Sequence, residues 1–296
     1  MQGMRLFKDR LASKVMVLLT LFAGLLILVM VAGLFLKSKS ILSIKPITEL
    51  IFSSSWRPLK GEFGFFPFIM GTLWVTGVAV IIAVPICLLS AICLSEYAPQ
   101  KICEWGKPFI DVLAGIPSVI FGIWGVLTVV PLIKKIAPFF GSYSTGYCVL
   151  SGGMVLAIMI FPIIIHVSLE VLRSVPNEIR EASLALGATK WQTIKKIVFR
   201  KAMPGIIAAV VLGLSRAFGE TIAVLMVAGN VPRVPTSIFE PAYPLPALLA
   251  NNYGEMLSIP MYDSALMFSA LILLLVIILF NVISRLILVR VERHIL

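Results

Sequence analysis

Six long apolar runs alternate with shorter polar or proline-bearing stretches, and this alternation predicts membrane-spanning helices over residues 15–36, 68–94, 109–133, 149–172, 205–229 and 265–289. Each run meets or exceeds the ~20 residues that carry an α-helix across ~30 Å of hydrocarbon. The connectors are 37–67, 95–108, 134–148, 173–204 and 230–264. Pro85, Pro117, Pro131 and Pro162 interrupt or end apolar runs and predict kinks, while Gly115, Gly122 and Gly125 thin the third run and predict close helix contacts. The pattern is that of an all-α integral membrane protein, read as one transmembrane domain over 1–296.

Composition agrees with the pattern. Of 296 residues, 59% are hydrophobic and 13% charged, and the mean hydropathy of +1.04 is far above that of a soluble domain. The net charge of +11 would raise nucleic acid as a partner in a soluble protein. Here the basic residues sit in short loops beside the apolar runs instead. With the N-terminus inside, sixteen Lys and Arg fall on the cytoplasmic side and eight outside, which predicts both termini in the cytoplasm. The cytoplasmic set includes Arg5, Lys8, Arg10, Lys14, Arg285, Arg290 and Arg293, and only Arg216 belongs to neither side. The run 15–36 exceeds the 7–15 residues of a signal-peptide core and lacks a small-x-small cleavage site, so it reads as an uncleaved anchor.

Several chemistries are disfavoured. Cys87, Cys93, Cys103 and Cys148 form no CxxC pair, and His166 and His294 lie far apart, which points away from metal and disulfide chemistry. An intramembrane protease motif HExxH is missing, and so is the GxxxxGK[ST] loop that would cradle ATP phosphates. Any ATP-driven work therefore draws on a partner.

The longest cytoplasmic connector, 173–204, reads as two short helices. Pro176 suits a first turn, Ile179, Ala182, Ser183 and Leu186 share a face, and Gly187 suits the stop. Thr189 can cap a second helix with Trp191, Ile194 and Val198 on one side. The elbow Glu181-Ala182-Ser183 followed by Gly187 resembles the EAA loop of ABC importer permeases, which in that family docks into a groove of the cytoplasmic ATPase. Ser183 stands for the family's second alanine, and Phe199-Arg200 for its usual Leu-Pro.

The fifth run carries charge. Arg216 and Glu220 are four apart, so a continuous helix would present both on one face. Counted from Gly205, Arg216 lies about 16 Å along the helix, near the middle of the bilayer, where a charge costs about 2.5–3.5 kcal/mol and must face protein or a water-filled path. Two readings stay open: mutual neutralisation that fixes helix packing, or a guanidinium that offers paired donors to a crossing oxyanion while Glu220 positions or releases it. Ala209, Gly213 and Ala217 form a small-residue stripe beside the pair.

The segments 65–72, 94–99, 114–118, 185–192 and Arg216-Ala-Phe-Gly-Glu-Thr221 through Asn230 together resemble the PstC-type permease subunit of phosphate-specific ABC importers over about residues 60–290. The resemblance implies a MetI-like permease fold in the bacterial inner membrane, a substrate path that includes Arg216, Glu220 and Thr221, and ATPase coupling through Glu181, Ala182, Ser183 and Gly187. It implies a PstA-type sister permease, two cytoplasmic ATPase subunits and an external phosphate-binding protein as partners. No cofactor is expected on this chain, with ATP and Mg held by the ATPase subunits. The connectors 37–67 and 230–264 would meet the binding protein, although Trp56, Tyr243 and Tyr253 also suit an interfacial aromatic role. A permease for sulfate, molybdate or phosphonate, the sister PstA-type subunit, or a channel are the alternative readings.

Overall fold

The computed structural model describes residues 2–255 and 259–295, with side chains described at 11–99, 101–255 and 259–290. Arg5, Lys8, Arg10, Arg293 and His294 therefore fall outside the described side chains. The elements in chain order are α1 (Gln2–Ile44), α2 (Ile47–Phe52), a hairpin of β1 (Trp56–Arg57) and β2 (Glu62–Phe63), α3 (Phe66–Ile92), α4 (Gln100–Gly115), α5 (Ser118–Trp124) and α6 (Val130–Ile136). They continue with α7 (Val149–Arg173), α8 (Asn177–Ala185), α9 (Lys190–Thr193), α10 (Phe199–Gly219), α11 (Ile222–Val227), α12 (Leu245–Asn252) and α13 (Tyr262–Ile295). Wide π-turns at Cys93–Tyr97, Gly125–Val129 and Ile194–Val198 extend or join neighbouring helices.

Among the described residues, six helical stretches are long and apolar enough to cross a membrane: Leu11–Ile44, Phe66–Tyr97, Ser118–Phe140, Val149–Arg173, Lys190–Gly219 and Tyr262–Arg290. Two are displaced from the sequence expectation, while the others contain the expected runs and extend beyond them. The third begins at Ser118, not 109, because α4 stops at Gly115 and Ile116 is extended (φ −68°, ψ 127°) before Pro117. Proline crowds the preceding residue out of the helical region, so the expected kink is a full break. The fifth starts at Lys190 and ends at Gly219, well short of 229. Pro85 and Pro162, by contrast, stay inside continuous helices.

The bundle is built on α7, which packs against α3 and α10. Gly213 shows why α10 approaches so closely: a Cβ there would lie 2.6 Å from Ile164 Cγ1. Ala209 and Ala217 are buried on the same stripe, as the small-residue spacing predicts. Gly213→Leu is expected to destabilise the fold by about 1–3 kcal/mol through overpacking. Gly24→Leu, where nothing lies within 4 Å of the added carbon, is expected to leave the midpoint of thermal unfolding in detergent unchanged.

At the end of the bundle remote from α8, the β1–β2 hairpin, α12 and the start of α13 enclose an aromatic cluster. Trp56 meets Phe68, Phe65 and Phe63 edge-on at 4.8, 5.5 and 5.7 Å between centroids, and Tyr243 meets Phe68 at 5.3 Å. Trp56 and Tyr243 thus stabilise the core of this end and do not form an interfacial belt; Tyr253 remains exposed. The loop before Tyr243 also closes the start of α7, where Val149 and Leu150 N–H donate to the Glu240 and Ile238 carbonyls at 2.9 and 2.8 Å.

That loop is pinned by Glu240, whose carboxylate accepts from Thr236 N at 2.8 Å and Thr236 Oγ1 at 2.9 Å. These bonds, with the nearby Arg233 charge, hold the carboxyl below its ordinary pKa. A carboxyl whose folded pKa is depressed contributes stability above its unfolded pKa and loses that contribution as pH falls through the folded value. Protection of the Thr236 amide, taken relative to the intrinsic exchange rate at each pH, is therefore expected to fall in acid, and Glu240→Gln to remove that pH response.

Candidate functional site

Two features carry the chemistry: the elbow around α8, and the break that follows α10. The elbow is shaped by its glycine. Gly187 sits at φ +84° and closes α8 with a paired motif, Ala188 N–H to Ser183 O at 3.3 Å and Gly187 N–H to Leu184 O at 2.9 Å. Thr189 then opens α9 with a capping box, accepting from Gln192 N at 3.3 Å while Gln192 Oε1 accepts from Thr189 N at 2.9 Å. Nothing crowds Gly187, so its requirement is conformational alone. Gly187→Val is expected to strain the left-handed turn by about 1–2 kcal/mol, read as faster amide exchange over the elbow.

The second helix is longer than expected. α9 and the following π-turn run straight into α10, so Lys190–Gly219 is one helical stretch. The expected apolar faces also shift. Ser183 is buried and its hydroxyl pairs with the buried Thr193 hydroxyl at 2.9 Å, which ties α8 to α9 and gives the departure from alanine a role. Glu181, Ala182, Leu184, Leu186 (90% exposed) and Trp191 (50% exposed) face outward. Ile194 and Val198 are buried, and Trp191 does not join them.

Sequence reasoning missed the group that anchors this elbow. Arg180 on α8 donates to Glu96 Oε1 at 2.9 Å and Leu172 O at 2.8 Å, to Asn177 Oδ1 at 3.2 Å, and to Val175 O. The side chains of Arg180 and Glu96 retain only 16% and 8% exposure. The pair fixes α8 to the π-turn that ends α3, and Lys190 sits 4.7 Å over the Tyr97 ring beside it. A lone Glu96 closing an apolar run and an Arg inside the elbow were the available signals, without any indication that they meet.

Alongside, α4 lies against the elbow-proximal half of α7. Lys107 Nζ lies 3.3 Å from Glu170 Oε1, His166 Nε2 lies 2.7 Å from Asp111 Oδ1, and Arg173 donates to Cys103 Sγ. Among the described residues no group of His, Cys, Asp and Glu has a metal-binding arrangement.

The break lies at Glu220. Arg216 occupies the last turn of α10, Glu220 is extended (φ −73°, ψ 129°), Thr221 is the N-cap residue (φ −116°, ψ −65°), and α11 starts at Ile222. The expectation that one continuous helical face presents Arg216 and Glu220 is therefore corrected: the four-residue spacing does not span a helical turn here. No ion pair joins them among the described residues. Glu220 Oε1 instead accepts from Ala223 N at 3.4 Å, at the start of α11, and Thr221 Oγ1 donates to Gly219 O at 3.1 Å. Arg216 is exposed on the bundle flank, while Glu220 and Thr221 are half-buried. A membrane helix interrupted in this way leaves backbone polar groups that only protein or a water-lined cavity can satisfy. The segment after α11 returns to pair with the bundle, with Ala242 N–H to Ala228 O at 2.9 Å and Asn230 N–H to Ala242 O at 3.1 Å.

An interrupted membrane helix and a glycine elbow belong to a known architecture. Residues 83–296 match the family model of binding-protein-dependent transport system inner membrane components. The chain is a member of that family. Its relatives include the probable ABC transporter permease protein YqgH of Bacillus subtilis, 39% identical over 84% of this chain and 80% of that protein. They also include the phosphate transport system permease protein PstC of Xylella fastidiosa, 36% identical over 83% of this chain and 80% of that one. Among solved structures, this permease shares its fold with the MetNI methionine ABC transporter (TM-score 0.58, 20% identity, covering 75% of this chain and 93% of that one). A bacterial alginate ABC transporter in complex with its periplasmic protein gives a TM-score of 0.56 at 19% identity, over 90% of this chain and 94% of that one. The expected all-α, MetI-like permease fold with six spans is the one observed, in a multi-pass inner membrane protein.

Proposed function

We propose that this permease is the PstC-type subunit of an ATP-driven importer that moves inorganic phosphate across the bacterial inner membrane. The observation that carries the reading is Arg216, an exposed guanidinium without an ion-pair partner among the described residues, set where a membrane helix breaks. Its planar fork presents two parallel N–H donors, the geometry that suits a tetrahedral oxyanion. Glu220 and Thr221 line the same break, with the carboxylate placed to admit a protonated phosphate oxygen and repel a fully ionised one. Relatives that carry the name phosphate transport system permease protein PstC, at 31–36% identity over about four-fifths of the chain, support phosphate over sulfate or molybdate.

In this reading the elbow end lies in the cytoplasm, in keeping with the sixteen-to-eight distribution of basic residues, and both termini lie there too. Glu181, Ala182, Ser183 and Gly187 form the coupling elbow: the exposed positions and Leu186 enter a groove of an ATPase subunit, while Ser183 and Gly187 hold the shape. Two such ATPase subunits carry ATP and Mg. A PstA-type sister permease completes the path against Arg216, and an external phosphate-binding protein delivers substrate to the opposite end.

The deciding experiment is phosphate uptake into vesicles that contain the complete complex, with and without the ATPase subunits, challenged by sulfate, molybdate and phosphonate. Uptake that needs ATPase and yields to none of the competitors supports the reading. Equal uptake of sulfate, or flux without ATPase, overturns it.

A further inference from the structure

A groove of about 320 Å³ runs between α10 and α13 on the face of α10 opposite its buried stripe. One wall is apolar, with Ala208 and Leu212, and the other is polar, with Asn281, Ser284 and Arg285; Ser215 Oγ donates to Asn281 Oδ1 at 2.9 Å across its deep end. Asn281 Nδ2 donates once, to Ile277 O at 2.9 Å, which leaves its second N–H without a partner among the described residues. Arg285 makes no ion pair among the described residues. No acidic side chain lines the groove.

The depth of these groups matters. Arg285 lies four residues, about 6 Å, nearer the elbow end than Asn281, and about 34 Å along α13 from Tyr262. That is one hydrocarbon thickness, so the guanidinium reaches the headgroup level of the elbow-side leaflet while the apolar wall lies within acyl chains. A guanidinium there attracts phosphate oxygens. The Asn281 carboxamide, with its second N–H, sits one turn deeper, where glycerol esters present their carbonyl acceptors.

We infer that this groove binds one anionic phospholipid of the elbow-side leaflet, its phosphodiester on Arg285 and its acyl chain along Ala208 and Leu212. The absence of a carboxylate from the lining selects an uncharged headgroup such as glycerol over choline, because a quaternary ammonium finds no counter-ion there. The deep end of the groove at Ser215 adjoins Arg216, whereas Ala208 lies two turns nearer the elbow, and the lipid assignment does not depend on which solute is transported.

The test uses the purified full-length chain in detergent, with lipid adducts counted by native mass spectrometry during titration with phosphatidylglycerol or phosphatidylcholine. Phosphatidylglycerol is expected to be retained about tenfold better, because both lipids offer a phosphate to Arg285 but only choline sets a second positive charge beside it with no carboxylate in the lining to balance it. Arg285→Gln is expected to erase that preference, Arg285→Lys to keep part of it, and Ala208→Trp to displace the lipid by filling the apolar wall while sparing every charge. Arg290→Gln, outside the groove lining, is expected to change nothing. Equal retention of the two lipids, full retention by Arg285→Gln, an equal loss in Arg290→Gln, or displacement of the lipid by millimolar inorganic phosphate would each overturn the assignment, the last by making this a site for free anion.

Discussion

Phosphate uptake by the complete importer is expected to fall about 10- to 100-fold when Arg216 becomes Gln, the loss of one charge-assisted, bidentate contact worth ~1.5–3 kcal/mol. Folding and assembly are expected to be spared, because Arg216 is exposed and is not held by Glu220. The double substitution Arg216→Gln with Glu220→Gln is therefore expected to assemble and to stay inactive. Had the two been a closed ion pair, removing both would have restored transport. Arg216→Lys is expected to keep a fraction of the rate, since an ammonium retains charge and loses the planar fork. Uptake measured per assembled complex decides the matter, and near-normal transport by Arg216→Gln would remove this residue from the path.

The second large effect is expected at the elbow anchor. Arg180→Ala leaves Glu96 buried without its counter-charge and strips hydrogen bonds from the carbonyls that end α7. Removing one partner of a buried pair costs about 3–5 kcal/mol, and the lower end applies here because both side chains keep some solvent contact. The expected readouts are faster amide exchange over residues 177–188 and loss of ATPase co-purification, with the spans still protected. Arg180→Gln combined with Glu96→Gln is expected to recover part of the loss, because no orphaned charge remains. A coupling energy near zero in that cycle would show that the pair does not fix the elbow.

The spans were legible because ~20 consecutive apolar residues have few other uses. Their interruptions were legible at most as kinks. Hydropathy averages over residues and is blind to the backbone, so the apolar stretch 109–133 read as one helix although Ile116 is extended before Pro117. The break at 220–221 carries no proline, and its charged spacing of four invited a helical reading that the extended Glu220 contradicts. The elbow was legible through local chemistry: Gly187 and Thr189 act on their immediate neighbours, and both do in the structure what their types suggest. Arg180 and Glu96 meet across 84 residues of sequence, a distance at which a single sequence carries no pairing signal. The roles of Trp56 and Tyr243 stayed open for a related reason, since an aromatic in a loop looks alike whether it meets lipid or a tertiary core.

The unbroken helical stretch from Lys190 to Gly219 has a mechanical meaning. About 39 Å of helix separate Lys190 from Arg216 at ~1.5 Å per residue, and its two irregularities, the π-turn at 194–198 and Pro204, both lie in the half nearer the elbow. Beyond Pro204 the rod has no joint until it ends at the arginine. A lever of this length converts a tilt of about 5° at its base into a sweep of roughly 3 Å at its tip, about the length of one hydrogen bond. That stroke is large enough to offer a guanidinium to an anion and then take it away.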